Sequence, residues 1–217
     1  MRYICALLEG IIVTAVCYCT IYIMCKKERL AIPYKGYWIQ SKFVWAISVV
    51  TFLASGVIGY VRLFEMSVPL HLLSLILIVG MAILSVTDHV RHWVPNRILL
   101  CLLMIWCMAV GITVIFDTQL GMELLGRGLI GGFVSGLIFL LCYILSKKQL
   151  GAGDVKLAFI MGLFMTGQRI MGGIVYGTLL CFLYSVIQLL RKKLTMKDQV
   201  PLVPFLYGGV LITYFIL

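Results

Sequence analysis

Long apolar segments recur along almost the whole chain and constrain its fold more than any other feature. A helix that crosses a bilayer needs about 20 mostly apolar residues. Eight such segments are predicted, the sixth of them short: 3–24, 44–61, 69–86, 98–116, 125–145, 155–166, 170–190 and 201–217. With 63% hydrophobic and 12% charged residues, the composition excludes a soluble enzyme, a disordered protein and a nucleic-acid-binding module. We predict an all-α integral membrane protein, a polytopic bundle of about eight transmembrane helices, one of them short or re-entrant.

Positive charges are concentrated in alternate connections between these segments. Of the 18 Lys and Arg residues, 14 fall in or directly beside the first, third, fifth and seventh connections, where Lys156 is the second residue of the sixth segment, and four fall elsewhere. Because Lys and Arg accumulate on the cytoplasmic side of membrane proteins, this pattern places the basic connections in the cytoplasm and both termini outside. The basic surface is also expected to attract anionic lipids.

Two of the eight acidic residues lie at predicted cytoplasmic ends of apolar segments. Asp88 follows the third segment, and Asp154 opens the sixth. Topology places both carboxyl groups at one membrane depth but does not bring them together laterally. Two carboxylates within hydrogen-bonding reach share a proton, so one can activate water while the other protonates a peptide carbonyl. The alternative for each aspartate is a helix-capping role.

The residues around the aspartates fit such a site. Gly151 and Gly153 precede Asp154 in a GxGD segment, and glycine tolerates open backbone conformations and lets a substrate strand come close. Pro95 pushes the residue before it toward an extended conformation. We therefore expect the loop after Asp88 to include residue 94, and the next helix to begin only after it.

Neighbouring polar side chains have both chemical and structural interpretations. Lys156 either tunes Asp154 electrostatically or extends to the lipid head groups. Asn96 could orient a group near Asp88, but we expect it to cap the next helix. We interpret His89 and His92 as polar residues at a basic interface rather than as metal ligands. No metal or cofactor is predicted.

Glu9 is an acidic residue inside the first apolar segment, where an ionisable group is costly and often functional. It lies about two helical turns from the outer end of that segment. A snorkelling side chain or a neutral, protonated carboxyl is therefore an equally good interpretation.

Three stretches, in this order along the chain, resemble the prepilin peptidase family, the type IV leader peptidases, which are GxGD intramembrane aspartyl proteases. The first is Asp88 with Val94-Pro95-Asn96. The other two are Gly151-Ala152-Gly153-Asp154-Val155-Lys156-Leu157 and Val200-Pro201-Leu202-Val203-Pro204-Phe205-Leu206-Tyr207-Gly208-Gly209. The resemblance covers residues 69–217. It divides the chain into an expected N-terminal region over 1–66 and an expected catalytic bundle over 67–217.

The resemblance implies that Asp88 and Asp154 form a catalytic pair. The expected reaction removes the leader peptide of type IV prepilins, secretion pseudopilins or Flp-type pilins at the cytoplasmic membrane face. The implied location is the inner or plasma membrane of a prokaryote, and the implied partners are a prepilin or pseudopilin helix and the bilayer, not nucleic acid. A non-catalytic transporter or a pilus assembly factor is the alternative.

One departure from the family concerns the first cytoplasmic loop. Many members carry two CxxC pairs there, in a zinc-binding insert associated with N-methylation of the mature pilin. This chain has eight cysteines but no CxxC pair. It therefore resembles a short form of the family, and its sequence gives no support for methyltransferase activity or for a need of S-adenosylmethionine.

Overall fold

Regular structure in the described part of the chain is entirely helical. The computed structural model describes residues 2–27, 37–62, 67–146, 150–166, 168–192 and 200–216. The helices are α1 (Arg2–Lys27), α2 (Tyr37–Arg62), α3 (Val68–Arg91), α4 (Asn96–Phe116), α5 (Thr118–Leu145), α6 (Ala152–Met165), α7 (Gln168–Leu190) and α8 (Val203–Ile216). Among the described residues, five helices, namely α2 to α5 and α7, are long and apolar enough to cross a membrane. The prediction of a helical, polytopic membrane protein is confirmed.

The direction in which the chain crosses the membrane stays a prediction. Several of the lysines and arginines on which it depends fall in 28–36, 147–149 and 193–199. Those segments lie outside the described residues.

Helix α3 continues beyond the predicted end of its apolar segment at residue 86 and ends at Arg91. The added turn contains no glycine or proline, and the first helix breaker after it is Pro95. His92 then adopts a left-handed conformation with φ of 50°, and its N–H donates to the carbonyl of Asp88 at 2.8 Å. Asp88 therefore lies in the last turn of the helix, not after it.

The short helix α6 packs closely against α5. Its 14 residues span about 21 Å, less than the hydrocarbon core of about 30 Å. A Cβ atom on Gly162 would overlap the Gly131 carbonyl oxygen, so the two backbones are in direct contact. Across the same contact, the Ser135 hydroxyl donates to the Ala158 carbonyl at 2.8 Å. Gly132 of α5 contributes too, since it lies against Leu163 of α6.

By its internal contacts the chain divides into two compact units, Met1–Val86 and Thr87–Leu217. The parts expected from the sequence, 1–66 and 67–217, are defined by the reach of the family resemblance rather than by contacts, and they stay a prediction.

The first unit contains a buried pair of ionisable side chains. His71 Nε2 of α3 lies 3.1 Å from Glu9 Oε2 of α1, and the two side chains are only 7% and 13% exposed. Gly59 of α2 makes room for the carboxylate, because a Cβ atom there would lie 2.7 Å from Glu9 Oε2. Glu9 thus has a partner on another helix, which its sequence position alone did not identify.

The membrane environment determines how much the Glu9–His71 pair contributes to the free energy of unfolding. Breaking a buried ion pair in a water-soluble protein costs about 3–5 kcal/mol. In a bilayer the separated helices find other polar partners, so interhelical hydrogen bonds contribute only about 0.6–1.7 kcal/mol. The smaller range applies to Glu9 and His71.

We expect Gly59→Ala to lower the free energy of unfolding by about 0.5–2 kcal/mol, because the added methyl group would displace the Glu9 carboxylate from His71. Thermal unfolding in detergent measures the change. Gly56→Ala, one turn earlier, is the matched control, since its Cβ would have the Ala6 carbonyl at 3.7 Å as its closest contact. In a Glu9→Ala background the Gly59→Ala effect should vanish. An undiminished loss there would refute this account of Gly59.

Candidate active site

Asp88 lies buried in the last turn of α3, with 6% of its surface exposed. Its Oδ2 accepts a hydrogen bond of 3.0 Å from the backbone N–H of Val203. Val203 is the first residue of α8, and the first N–H groups of a helix have no partner within the helix. The partial positive charge of a helix N-terminus also attracts a carboxylate. The polar end of α8 thus compensates the burial of Asp88.

Asp154 lies in the first turn of α6, three residues after the N-cap Gly151. Its own N–H donates to the Gly151 carbonyl at 3.0 Å, and its carboxyl group accepts from the Gly151 N–H. This reciprocal arrangement is the N3 half of a capping box. The capping role considered for this aspartate is therefore present, and it also orients the carboxyl group.

The second unit brings the two carboxyl groups within electrostatic range of each other. Both also interact electrostatically with the Cys181 thiol of α7. Asp154 lies outside the five helices that can cross a membrane. Burial, aided by the negative charge of Asp88, raises the pKa of the Asp154 carboxyl to about 6, and the hydrogen bond from Gly151 opposes the shift. Asp154 therefore keeps its proton at mildly acidic pH, where an ordinary aspartate has lost it.

The loop after α3 is held against the start of α6 by Val94 and Gly153. Val94 is buried, and a Cβ atom on Gly153 would lie 2.9 Å from the Val94 Cβ. The close approach expected at this glycine is thus made by the chain's own Val94. Because Val94 follows Asp88 by six residues and Gly153 precedes Asp154, this contact fixes the two aspartate-bearing segments together.

Asn96 does not cap α4, contrary to the sequence prediction. The cap position is taken by Pro95, whose φ of −69° and ψ of 120° are extended and which provides no side-chain cap hydrogen bond. Asn96 is the first helical residue, and its Oδ1 accepts from Lys156 Nζ at 3.1 Å. The capping prediction is wrong because the rigid proline ring already ends the loop one residue earlier. Lys156 instead joins the start of α6 to the start of α4.

The two histidines near Asp88 contribute charge interactions. Both His89 and His92 interact electrostatically with the Asp88 carboxyl group. Within the described ranges, no group of three or more His, Cys, Asp or Glu side chains is arranged to hold a metal ion.

Sequence reasoning assigned no role to three residues of this site. Val203 contributes a backbone N–H, Val94 a packing surface and Cys181 a neighbouring thiol. Val94 and Val203 both belong to proline-containing stretches that resemble the family, and this resemblance is the sequence feature that could have identified them as site residues. For Cys181 there was none, since a cysteine within an apolar helix resembles any small apolar residue.

We expect Gly153→Ala to lower the free energy of unfolding by about 1–3 kcal/mol, because its methyl group would overlap Val94. Denaturation in detergent measures the change. Gly126→Ala is the control, since a Cβ atom there meets nothing within 4 Å. That control should be neutral or slightly stabilising, as alanine favours helix over glycine. Equal effects of the two substitutions would contradict the packing described for Gly153.

Comparison with known proteins gives one match. The model of the type IV leader peptidase family matches residues 75–186. Searches of curated proteins and of solved structures returned no match. The matched segment contains both Asp88 and Asp154, and it ends before Val203. Since it covers more than half of the 217 residues, the chain belongs to the type IV leader peptidase family.

Proposed function

We propose that this protein is a membrane-embedded aspartic endopeptidase that removes the leader peptide of type IV prepilin-like, pseudopilin or Flp-type proteins. Membership of the type IV leader peptidase family makes it a peptidase. The aspartic mechanism is supported by one observation above all. Asp88 and Asp154, 66 residues apart, lie within electrostatic range of each other in one compact unit.

In the proposed mechanism the two carboxyl groups have different roles. Asp154, whose pKa is raised to about 6, holds the proton and is the general acid. Asp88 is then the general base, which takes a proton from water as the water oxygen bonds to the peptide carbonyl carbon. Asp154 gives its proton to the carbonyl oxygen, which yields a neutral tetrahedral diol. Asp88 then gives the proton it took from water to the amide nitrogen, while Asp154 takes a proton from one diol hydroxyl. The C–N bond breaks as the C=O bond re-forms, and the two carboxyl groups again share one proton.

The cytoplasmic face is the proposed side of cleavage. The proposal is supported by the excess of Lys and Arg in the connections next to both aspartates. An active site near this face would receive the leader peptide from the cytoplasm while the apolar helix of the substrate stays in the bilayer. The same charge pattern supports both termini lying outside, in the inner or plasma membrane of a prokaryote.

Co-expression with an epitope-tagged prepilin tests the catalytic pair. We expect Asp88→Asn and Asp154→Asn each to reduce leader removal by about 100-fold or more, the range for loss of a general acid or base. Glu123→Gln is the control. Glu123 is an exposed acid that pairs with Arg127 on α5, so its loss should leave cleavage unchanged. An uncleaved prepilin with the wild-type enzyme, or normal cleavage by either aspartate variant, would contradict the proposal.

Asp154→Asn should also change the pH dependence of stability. The folded protein binds the Asp154 proton more tightly than the unfolded chain, so ionisation costs stability as the pH rises from about 4 to about 6. The cost stays constant at higher pH. Since asparagine never ionises, we expect Asp154→Asn to be more stable than the wild type by roughly 1–3 kcal/mol at about pH 7.5, and equal to it near pH 4.

Thermal unfolding at the two pH values measures this difference. Asp117→Asn is the isosteric control. Asp117 caps α5 by accepting from the Leu120 N–H, and asparagine caps a helix about as well. A less stable Asp154→Asn variant at neutral pH would refute the raised pKa.

A further inference from the structure

An open groove runs between α4, α5 and α6 in the second unit. It has a volume of about 600 Å³, and each of the three helices contributes four lining residues. Its rim is apolar and exposed, with Leu100 60%, Phe133 68%, Leu137 57% and Leu140 42% accessible. α4 and α5 are both long and apolar enough to cross a membrane. In a bilayer this groove therefore faces lipid chains.

One end of the groove is polar and positively charged. Lys156 and Asn96 line that end, at the starts of α6 and α4. The Lys156 ammonium group donates to the side-chain oxygen Oδ1 of Asn96 at 3.1 Å, and both residues are exposed. The ammonium group and the Asn96 NH₂ group together provide several hydrogen-bond donors beside a positive charge. This chemistry suits the phosphate of a lipid head group.

The volume of the groove favours an acyl chain over a protein helix. A helix as long as α6 and about 10 Å wide has a volume of roughly 1,600 Å³, so only part of it could lie in the groove. An extended acyl chain is only one methylene group wide. The floor includes Phe159, which packs edge-to-face against Phe133 at a ring separation of 5.9 Å and gives the chain an apolar contact surface.

We propose that this groove binds one anionic phospholipid, with its phosphate at Lys156 and Asn96 and an acyl chain between α4, α5 and α6. The bound lipid lies against the helix whose first turn carries Asp154. The bound lipid makes a specific contact at the start of α6, where loosely ordered bilayer lipid would otherwise fill the groove. The proposal does not depend on the peptidase reaction, since the groove and its charged end are present whatever the aspartates do.

Native mass spectrometry of the purified full-length protein tests the proposal. Phosphatidylglycerol and phosphatidylcholine with identical acyl chains are titrated separately into the detergent-solubilised protein. We expect one phosphatidylglycerol to bind at least fivefold more tightly than phosphatidylcholine. Lys156→Ala should remove this preference by lowering phosphatidylglycerol affinity about fivefold, and Lys156→Arg should restore it. Equal affinity of the wild-type protein for both lipids would overturn the proposal.

Two further variants distinguish lipid binding in the groove from unspecific attraction of anionic lipid to positive charge. Leu137→Trp adds bulk at the exposed rim, so it should weaken both lipids. Arg191→Ala removes an exposed positive charge at the end of α7, away from the groove lining, and should leave the preference intact. An equal loss in Arg191→Ala and Lys156→Ala would mean unspecific attraction and would overturn the site.

A competing peptide decides between a lipid and a helix as the occupant. An uncharged transmembrane peptide that displaces phosphatidylglycerol one for one would show that the groove takes a helix, and the lipid proposal would fail. The Asp88→Asn/Asp154→Asn double variant should bind phosphatidylglycerol like the wild type. Loss of cleavage and loss of lipid binding can thus be told apart.

Discussion

The contact between α5 and α6 is the interaction on which the second unit depends. Helix α6 is too short to cross a bilayer alone, and its hydrophobic residues are buried from Leu157 to Met165 with little interruption. Backbone contact between Gly131 and Gly162 holds it in place, together with the hydrogen bond from Ser135 to Ala158. Small residues permit this approach, since a side chain at Gly162 would push the helices apart.

The position that this contact gives to α6 determines both proposed sites, the aspartate pair and the lipid groove. Asp154 in its first turn lies within electrostatic range of Asp88 at the end of α3, while Lys156 reaches Asn96 at the start of α4. Each of the two aspartates has a backbone N–H partner at a helix end. Asp88 uses the first N–H of α8, and Asp154 uses the N–H of its own N-cap. The protein thus holds both carboxyl groups within the helical bundle by hydrogen bonds from backbone N–H groups.

The apolar segments predict most of the helical architecture, because hydropathy over 20 residues is a strong signal. The eight helices and the positions of both aspartates near helix ends follow from it. The end of α3 was placed five residues too early, since its last turn is polar yet still helical. Asn96 was misassigned because its polar side chain was weighed and the extended backbone of Pro95, which takes the cap position, was not.

The missing part of the prediction concerns contacts between distant segments. The bond from Val203 to Asp88 uses a backbone N–H, which has no side-chain signature in the sequence. The pairing of Glu9 with His71 likewise depends on how helices pack. Sequence spacing fixes neighbours within a helix but not between helices. Topology therefore did not bring Asp88 to Asp154; the family resemblance implied their pairing, and in the structure they lie within electrostatic range of each other.

The central claim is that Asp88 and Asp154 share one proton, and infrared spectroscopy of the protein in membranes tests it most directly. The C=O stretch of a protonated carboxyl group, assigned to Asp154 by its loss in Asp154→Asn, is followed as a function of pH. We predict that it titrates near pH 6 in the wild type. In Asp88→Asn the midpoint should fall, because the negative charge that raises it is gone. An Asp154 carboxyl group that is already ionised well below pH 6, or a midpoint that Asp88→Asn leaves unchanged, would contradict the shared proton.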